Sequence, residues 1–298
     1  MPDKTTVPMI RARKGRDKIR MVTAYDYPTA RIADRAGADV ILVGDSVGNV
    51  VLGRPDTLGV TVDEIVHHTA AVMRAEPQAL VVADMPWLSY HTTSEDAVTN
   101  AARMIREGGA AAVKLEGGAK RAAVIKAILD AEIPVQGHIG LTPQSVHAMG
   151  GMRVQGREAD AAYELISDAK ALADAGVFSI VLEGVPDVLA EIVTREVDVP
   201  TIGIGAGASC DGQVLVFHDV VGLGGGDYLP KFVRQYAGLA DTAVEALARW
   251  FEDVQSGAFP GEAETYHMPA ESAAVLRELT ESAFGTADEL MADEAMEK

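Results

Sequence analysis

VILVGDSVGN, residues 40–49, is an apolar run that ends on glycine, aspartate and serine. A strand that is apolar on both faces is covered on both faces, the mark of a parallel sheet flanked by helices. A carboxylate at the tip of such a strand is costly to bury unless something there needs it. The same event recurs downstream: LVVADMP (80–86) ends near Asp84, AAVKLEG (111–117) carries Lys114 and Glu116, and VFSIVLEGV (177–185) carries Glu183. IRMVTAY (19–25), IPVQGHIGL (133–141), PTIGIGAG (200–207) and FHDVVGL (217–223) complete a set of strand-like runs.

Helix-like stretches lie between them, at 28–38, 61–76, 94–109, 119–132, 158–176 and 185–197. Thr61 and Ser94 stand where capping residues belong, and Gly37, Gly108 and Gly176 where helices stop. Strand and helix alternating about eight times predicts a (β/α)8 TIM barrel. A doubly wound open sheet satisfies the same alternation. Residues 1–260 are expected to form one catalytic domain with an N-terminal extension, and 261–298 an acidic extension, mostly helical with its last dozen residues disordered.

The chain has 298 residues, 44 acids against 26 Lys plus Arg, and a net charge of −18. A field of this sign repels nucleic acid and anionic membranes, so neither is expected as a partner. It fits either a solubility-tuned surface or adaptation to a salty cytoplasm. No window approaches a membrane span, and the N-terminal stretch has no apolar core of a secretory signal. The single cysteine, Cys210, excludes a disulfide framework and suits a reducing cytoplasm.

In a (β/α)8 barrel, side chains at the C-terminal strand ends meet at one mouth. Asp45, Asp84, Glu116 and Glu183 fall at such ends on four strands. Alone, each could cap the following helix. Together they repel unless a cation joins them, and three carboxylates make a hard oxygen site that suits Mg²⁺. Lys114 and Glu116, two apart, point to the same side of a strand. Ser46 is either a turn hydroxyl or a donor to substrate, and His138 either a bonded core histidine or a substrate contact. His67, His68, His91 and His147 have no spacing that argues chemistry. GIGAGASCDG (203–212) lacks the lysine and spacing of a nucleotide cradle, so its glycines read as close backbone approach. HAMGGMRVQGR (147–157) reads as a mobile flap or an irregular loop.

The stretches MVTAYDYPTARIADRAGAD, ILVGDSVGNVVLG, VVADMPWLSY, AVKLEGG, PVQGHIGLTPQ, VLEGVP, PTIGIGAGASCDGQVLVFHDVVGL and PKFVRQYA together resemble the ketopantoate hydroxymethyltransferase family over about residues 21–237. DYLPKF (227–232) is a mild departure, and the tail past 260 matches no motif. The resemblance implies a barrel of the phosphoenolpyruvate/pyruvate type. It implies transfer of a hydroxymethyl group from 5,10-methylenetetrahydrofolate, or a modified pterin, to 3-methyl-2-oxobutanoate, giving 2-dehydropantoate for pantothenate and coenzyme A biosynthesis. It places Mg²⁺ ligands on Asp45, Asp84 and Glu116, substrate contacts on Asp45, Ser46, Asp84 and Lys114, and the catalytic base on Glu183. It further implies a cytoplasmic homo-oligomer, a decamer being one form. The rivals are a Mg²⁺-dependent carbon–carbon lyase of the same barrel group, which would present a loop cysteine, and a non-catalytic ligand-binding barrel, which would have lost one of these acids.

Overall fold

The computed structural model describes residues 4–224 and 229–284. Asp227 and Tyr228 of the departing turn, and the terminal residues expected to be disordered, lie outside them. Eight parallel strands close in sequence order into a barrel. They are β1 Ile19–Thr23, β2 Val40–Val43, β3 Leu80–Asp84, β4 Ala112–Glu116, β5 Val135–Gly140, β6 Ser179–Glu183, β7 Thr201–Ile204 and β8 Gly212–Val216. The open-sheet alternative is thereby removed, since β1 pairs with both β2 and β8.

The eighth strand corrects the sequence reading. FHDVV is a short helix, Phe217–Val221, and the strand lies just before it. Its apolar residues run without a break into the helix, and its first residue belongs to the glycine run. That glycine is required: a Cβ at Gly212 would sit 2.6 Å from the Ile19 carbonyl oxygen where β8 meets β1. The run is thus a place of close backbone approach. Smaller shifts occur at helix ends. Thr93, not Ser94, caps the helix Ser94–Arg106, and Gly109, not Gly108, takes the positive φ. Thr61 does cap Val62–Met73, in a reciprocal box with Glu64.

Period-two alternation distributes the strand side chains among three buried clusters. Val40, Leu42, Leu80, Val82, Ala112, Val181, Ile202 and Val214 form one buried cluster with Ile10. Ile41, Val43 and Val81 belong to another, with Ala30, Ala33 and Val72 of the neighbouring helices. Each fully buried aliphatic side chain contributes about 1.5–3 kcal/mol by leaving water. Ile10 comes from the N-terminal helix Val7–Arg11, so the extension packs into the barrel's own core. The arm continues to Lys14 Nζ and Gly15 N, which donate to the Asp211 carboxylate, both at 2.9 Å.

The chain divides into two compact units after Ala240. The second holds most of helix Leu239–Ser256, then Ala270–Phe284, with no strand among the described residues. No described helix is long and apolar enough to cross a membrane.

Candidate active site

The alternation that puts Val82 and Ala112 in the barrel cluster carries on to the strand tips. Asp84 is two residues past Val82, Lys114 and Glu116 two and four past Ala112, and Glu183 two past Val181. Strand register then sets neighbours: Asp84 pairs with Lys114, Glu116 with His138, and Gly140 with Glu183. Asp45 follows the turn at Gly44 that ends β2.

These residues form one buried network. Lys114 Nζ donates to both Asp84 oxygens, at 2.7 Å and 2.9 Å. The Asp45 backbone N–H reaches Asp84 Oδ2 at 3.3 Å. His138 bridges two acids, with Nδ1 3.3 Å from Glu116 Oε1 and Nε2 3.2 Å from Glu183 Oε2. Neither approach is aligned as a hydrogen bond, so these are charge contacts. Asp45, Asp84, Lys114, Glu116 and His138 are all buried, whereas the Glu183 side chain is 16% exposed and so faces the mouth.

Burial and the charges of Asp84 and Glu116 push the Asp45 carboxyl well above the ordinary range, and burial pushes Asp84 up despite Lys114. Burial alone would raise Glu116 too, but His138 and Lys114 hold it down. Burial and Lys114 oppose charge on His138, yet Glu116 and Glu183 raise its pKa to about 9. Burial likewise opposes charge on Lys114, and Asp84, Glu116 and Asp45 override it. Four carboxylates therefore face two cationic groups, with only Glu183 partly open to water. The ionised acids outnumber the cations, and a divalent cation would make up the difference. Among the described residues no three acidic, histidine or cysteine side chains form a ready-made ion cage. Mg²⁺ does not demand one, because it is commonly held by one or two carboxylates with water and substrate oxygens.

Three residues of this network escaped the sequence reading. Gln144 Nε2 donates to Asp45 Oδ2 and to the Met85 carbonyl, both at 2.9 Å, and its backbone N–H to Glu116 Oε2 at 3.1 Å. Tyr90 donates its hydroxyl to Gln144 Oε1 at 2.6 Å and accepts from the Glu116 N–H at 3.1 Å. Tyr25, fully buried, shares a hydrogen bond of 2.8 Å with Ser46 Oγ, so the serine hydroxyl has a fixed partner. The signal available was position: each lies within a few residues of a strand's C-terminal end. His68 Nδ1 lies 2.8 Å from the Tyr25 carbonyl oxygen, a positioning contact. Cys210 is buried, and burial pushes its thiol up, which disfavours the thiolate nucleophile of a cysteine-dependent lyase.

The family model described as ketopantoate hydroxymethyltransferase matches residues 4–262. A protein of Clostridium beijerinckii named 3-methyl-2-oxobutanoate hydroxymethyltransferase is 54% identical over 264 residues, covering 89% of this chain and 96% of its own length. One of Moorella thermoacetica with the same name is 55% identical over 264 residues, covering 88% and 98%. Among solved structures, 2,3-dimethylmalate lyase, a PEP mutase/isocitrate lyase superfamily member, superposes with a TM-score of 0.56 at 18% identity over 100% of both chains. Phosphonopyruvate hydrolase does so at 0.57 and 13% identity, over 95% of this chain and 100% of its own. At such identities these two share the fold alone.

Proposed function

The chain belongs to the ketopantoate hydroxymethyltransferase family, and from that premise we propose that it takes a proton from C3 of 3-methyl-2-oxobutanoate and adds the resulting carbanion to a one-carbon unit carried by 5,10-methylenetetrahydrofolate. Water supplies the oxygen of the new hydroxymethyl group and tetrahydrofolate leaves, so the product would be 2-dehydropantoate, a precursor of pantothenate. The observation that carries the reading is Glu183, a carboxylate set at the mouth beside a buried network of surplus negative charge.

Asp45, Asp84 and Glu116 are the residues that would hold Mg²⁺, which when bound would supply Lewis acidity to the 2-oxo group. Asp45 has no ion-pair partner among the described residues, whereas Lys114 holds both Asp84 oxygens, and His138 and the Gln144 N–H meet the two Glu116 oxygens. Lys114 balances Asp84 and offers positive charge to an anionic substrate. Ser46 Oγ, steered by Tyr25, donates to the substrate carboxylate. Glu183 accepts the C3 proton as general base, and His138, 3.2 Å away, fixes where that carboxylate sits. Gln144 and Tyr90 tie Asp45 to Glu116, so the acids do not drift apart under their mutual repulsion.

The test uses the protein, Mg²⁺ and the oxo acid in D₂O without a donor. C3 deuterium incorporation that depends on enzyme and on Mg²⁺ supports the reading. Absence of exchange, with oxo-acid binding intact, contradicts it.

A further inference from the structure

Lys120 and Arg121 end the short turn Ala119–Arg121, which follows β4 at the barrel mouth. The protein is crowded with acids, yet neither side chain has a carboxylate partner among the described residues. Arg121 instead lays its guanidinium over the Tyr90 ring, 5.4 Å from the centroid. That is the tyrosine whose hydroxyl meets Glu116 and Gln144. His91, next to that tyrosine in sequence, tilts against the same ring at 39°, with 4.2 Å between ring centroids. Arg121 Nε and His91 Nδ1 are both buried and have no hydrogen-bond partner. A buried polar atom left without a partner calls for an explanation.

The backbone is cut to admit these side chains. A Cβ on Gly117, directly after Glu116, would lie 2.9 Å from Arg121 Cγ and 3.4 Å from both Arg121 Nε and Lys120 Cε, and its φ is +117°. Asp168 Oδ1 accepts from the Ala119 N–H at 2.7 Å and so pins the turn. Asp168 and Glu164 also line the cavity beside Lys120, which leaves Arg121 as the less opposed cation. The surroundings of His91 are cationic enough that burial, Arg121 and Lys120 bring its pKa down to about 4. It is neutral at physiological pH and free to donate or accept. A planar guanidinium stacked on an aromatic ring is arranged for bidentate capture of a carboxylate.

We propose that Arg121, with Lys120 and His91, forms a carboxylate-binding subsite that receives the glutamyl tail of the one-carbon donor at the rim of the active site. The inference rests on the donor assigned under the proposed function. The oxo acid also carries a carboxylate, but Lys114 and Ser46 are already placed for it at the strand tips. The rim site would hold the far end of a longer ligand whose reacting end points inward to Glu183.

The experiment compares two donors on the Mg²⁺-loaded enzyme, methylenetetrahydrofolate and methylenetetrahydropteroate, which lacks the glutamyl unit. One charge-assisted contact predicts a KM lower for the first by about 10–100-fold. Arg121→Gln should abolish that preference by raising KM for the tailed donor alone, Lys120→Ala should reduce it, and Arg121→Lys should restore part of it. The KM for the oxo acid should stay within about twofold of wild type in all three. A wild type indifferent to the tail, equal losses for both donors, or a rise in oxo-acid KM instead would overturn the subsite. Donor-free C3 exchange separates the two levels. Exchange with no tail preference sinks the subsite alone, and no exchange sinks the proposed function and the subsite with it.

Discussion

Replacing Lys114 by methionine keeps the length of the side chain and deletes its charge. The ammonium lies 2.7 Å from one Asp84 oxygen, with both side chains nearly water-free, at 5% and 2% exposure. Removing one member of a buried pair typically costs about 3–5 kcal/mol, because the other charge is left uncompensated. At about 2–4 °C per kcal/mol for a domain of this size, Tm should fall by about 6–20 °C. Asp84→Leu should cost less, since Lys114 keeps Asp45 and Glu116 as counter-charges. The double variant, with two apolar side chains in the same space, should recover at least about 2 kcal/mol of the Lys114→Met loss. Urea denaturation of the four proteins, read as a double-mutant cycle, measures the coupling. A single-variant cost below about 1 kcal/mol, or strict additivity in the cycle, would refute the claim that this pair is dry and mutually dependent.

Asp45→Asn should weaken Mg²⁺ binding by at least about tenfold in calorimetry, and unchanged affinity would remove Asp45 from the ligand set. Asp211 gives the clearest pH prediction. Burial would raise its pKa, but the Thr201 and Gly15 N–H groups and Lys14 hold it below the ordinary aspartate range. Its stabilising contribution is thus present above about pH 4 and lost as pH falls through the depressed folded value. Asp211→Asn should flatten that acid limb of the stability curve, and an unchanged limb would contradict the assignment. The net charge of −18 predicts that Tm rises from low salt to about 1 M KCl, and a flat or falling Tm would defeat it.

The barrel was legible because its strands are apolar on both faces and end on punctuating acids and glycines. The eighth strand was not, because Gly212–Val216 shares one apolar run with the helix Phe217–Val221 and no turn residue divides them. The acids of the site stood out in the sequence because each breaks an apolar run, and Lys114 because it shares the parity of Glu116. Gln144, Tyr25 and Tyr90 carried no such signal. Gln144 meets Asp45 from 99 residues away, a contact that only barrel closure creates. A buried tyrosine reads as core until its hydroxyl's partner is known. His91 had no spacing that argued chemistry and Arg121 lay unremarked in the helix-like stretch 119–132, because their meaning lies in the two loops that closure brings together over Tyr90.

The central claim is that Glu183 removes the C3 proton while its neighbours hold the oxo acid. Glutamine at 183 preserves size and hydrogen bonding but cannot take a proton. Donor-free C3 deuterium exchange by Glu183→Gln, measured beside oxo-acid affinity with Mg²⁺ present, tests this most directly. The account predicts that exchange falls by about 10²–10⁴-fold while the oxo-acid Kd changes by less than about threefold. Exchange at the wild-type rate would take the role of base away from Glu183, and collapse of exchange and affinity together would place it among the binding groups instead.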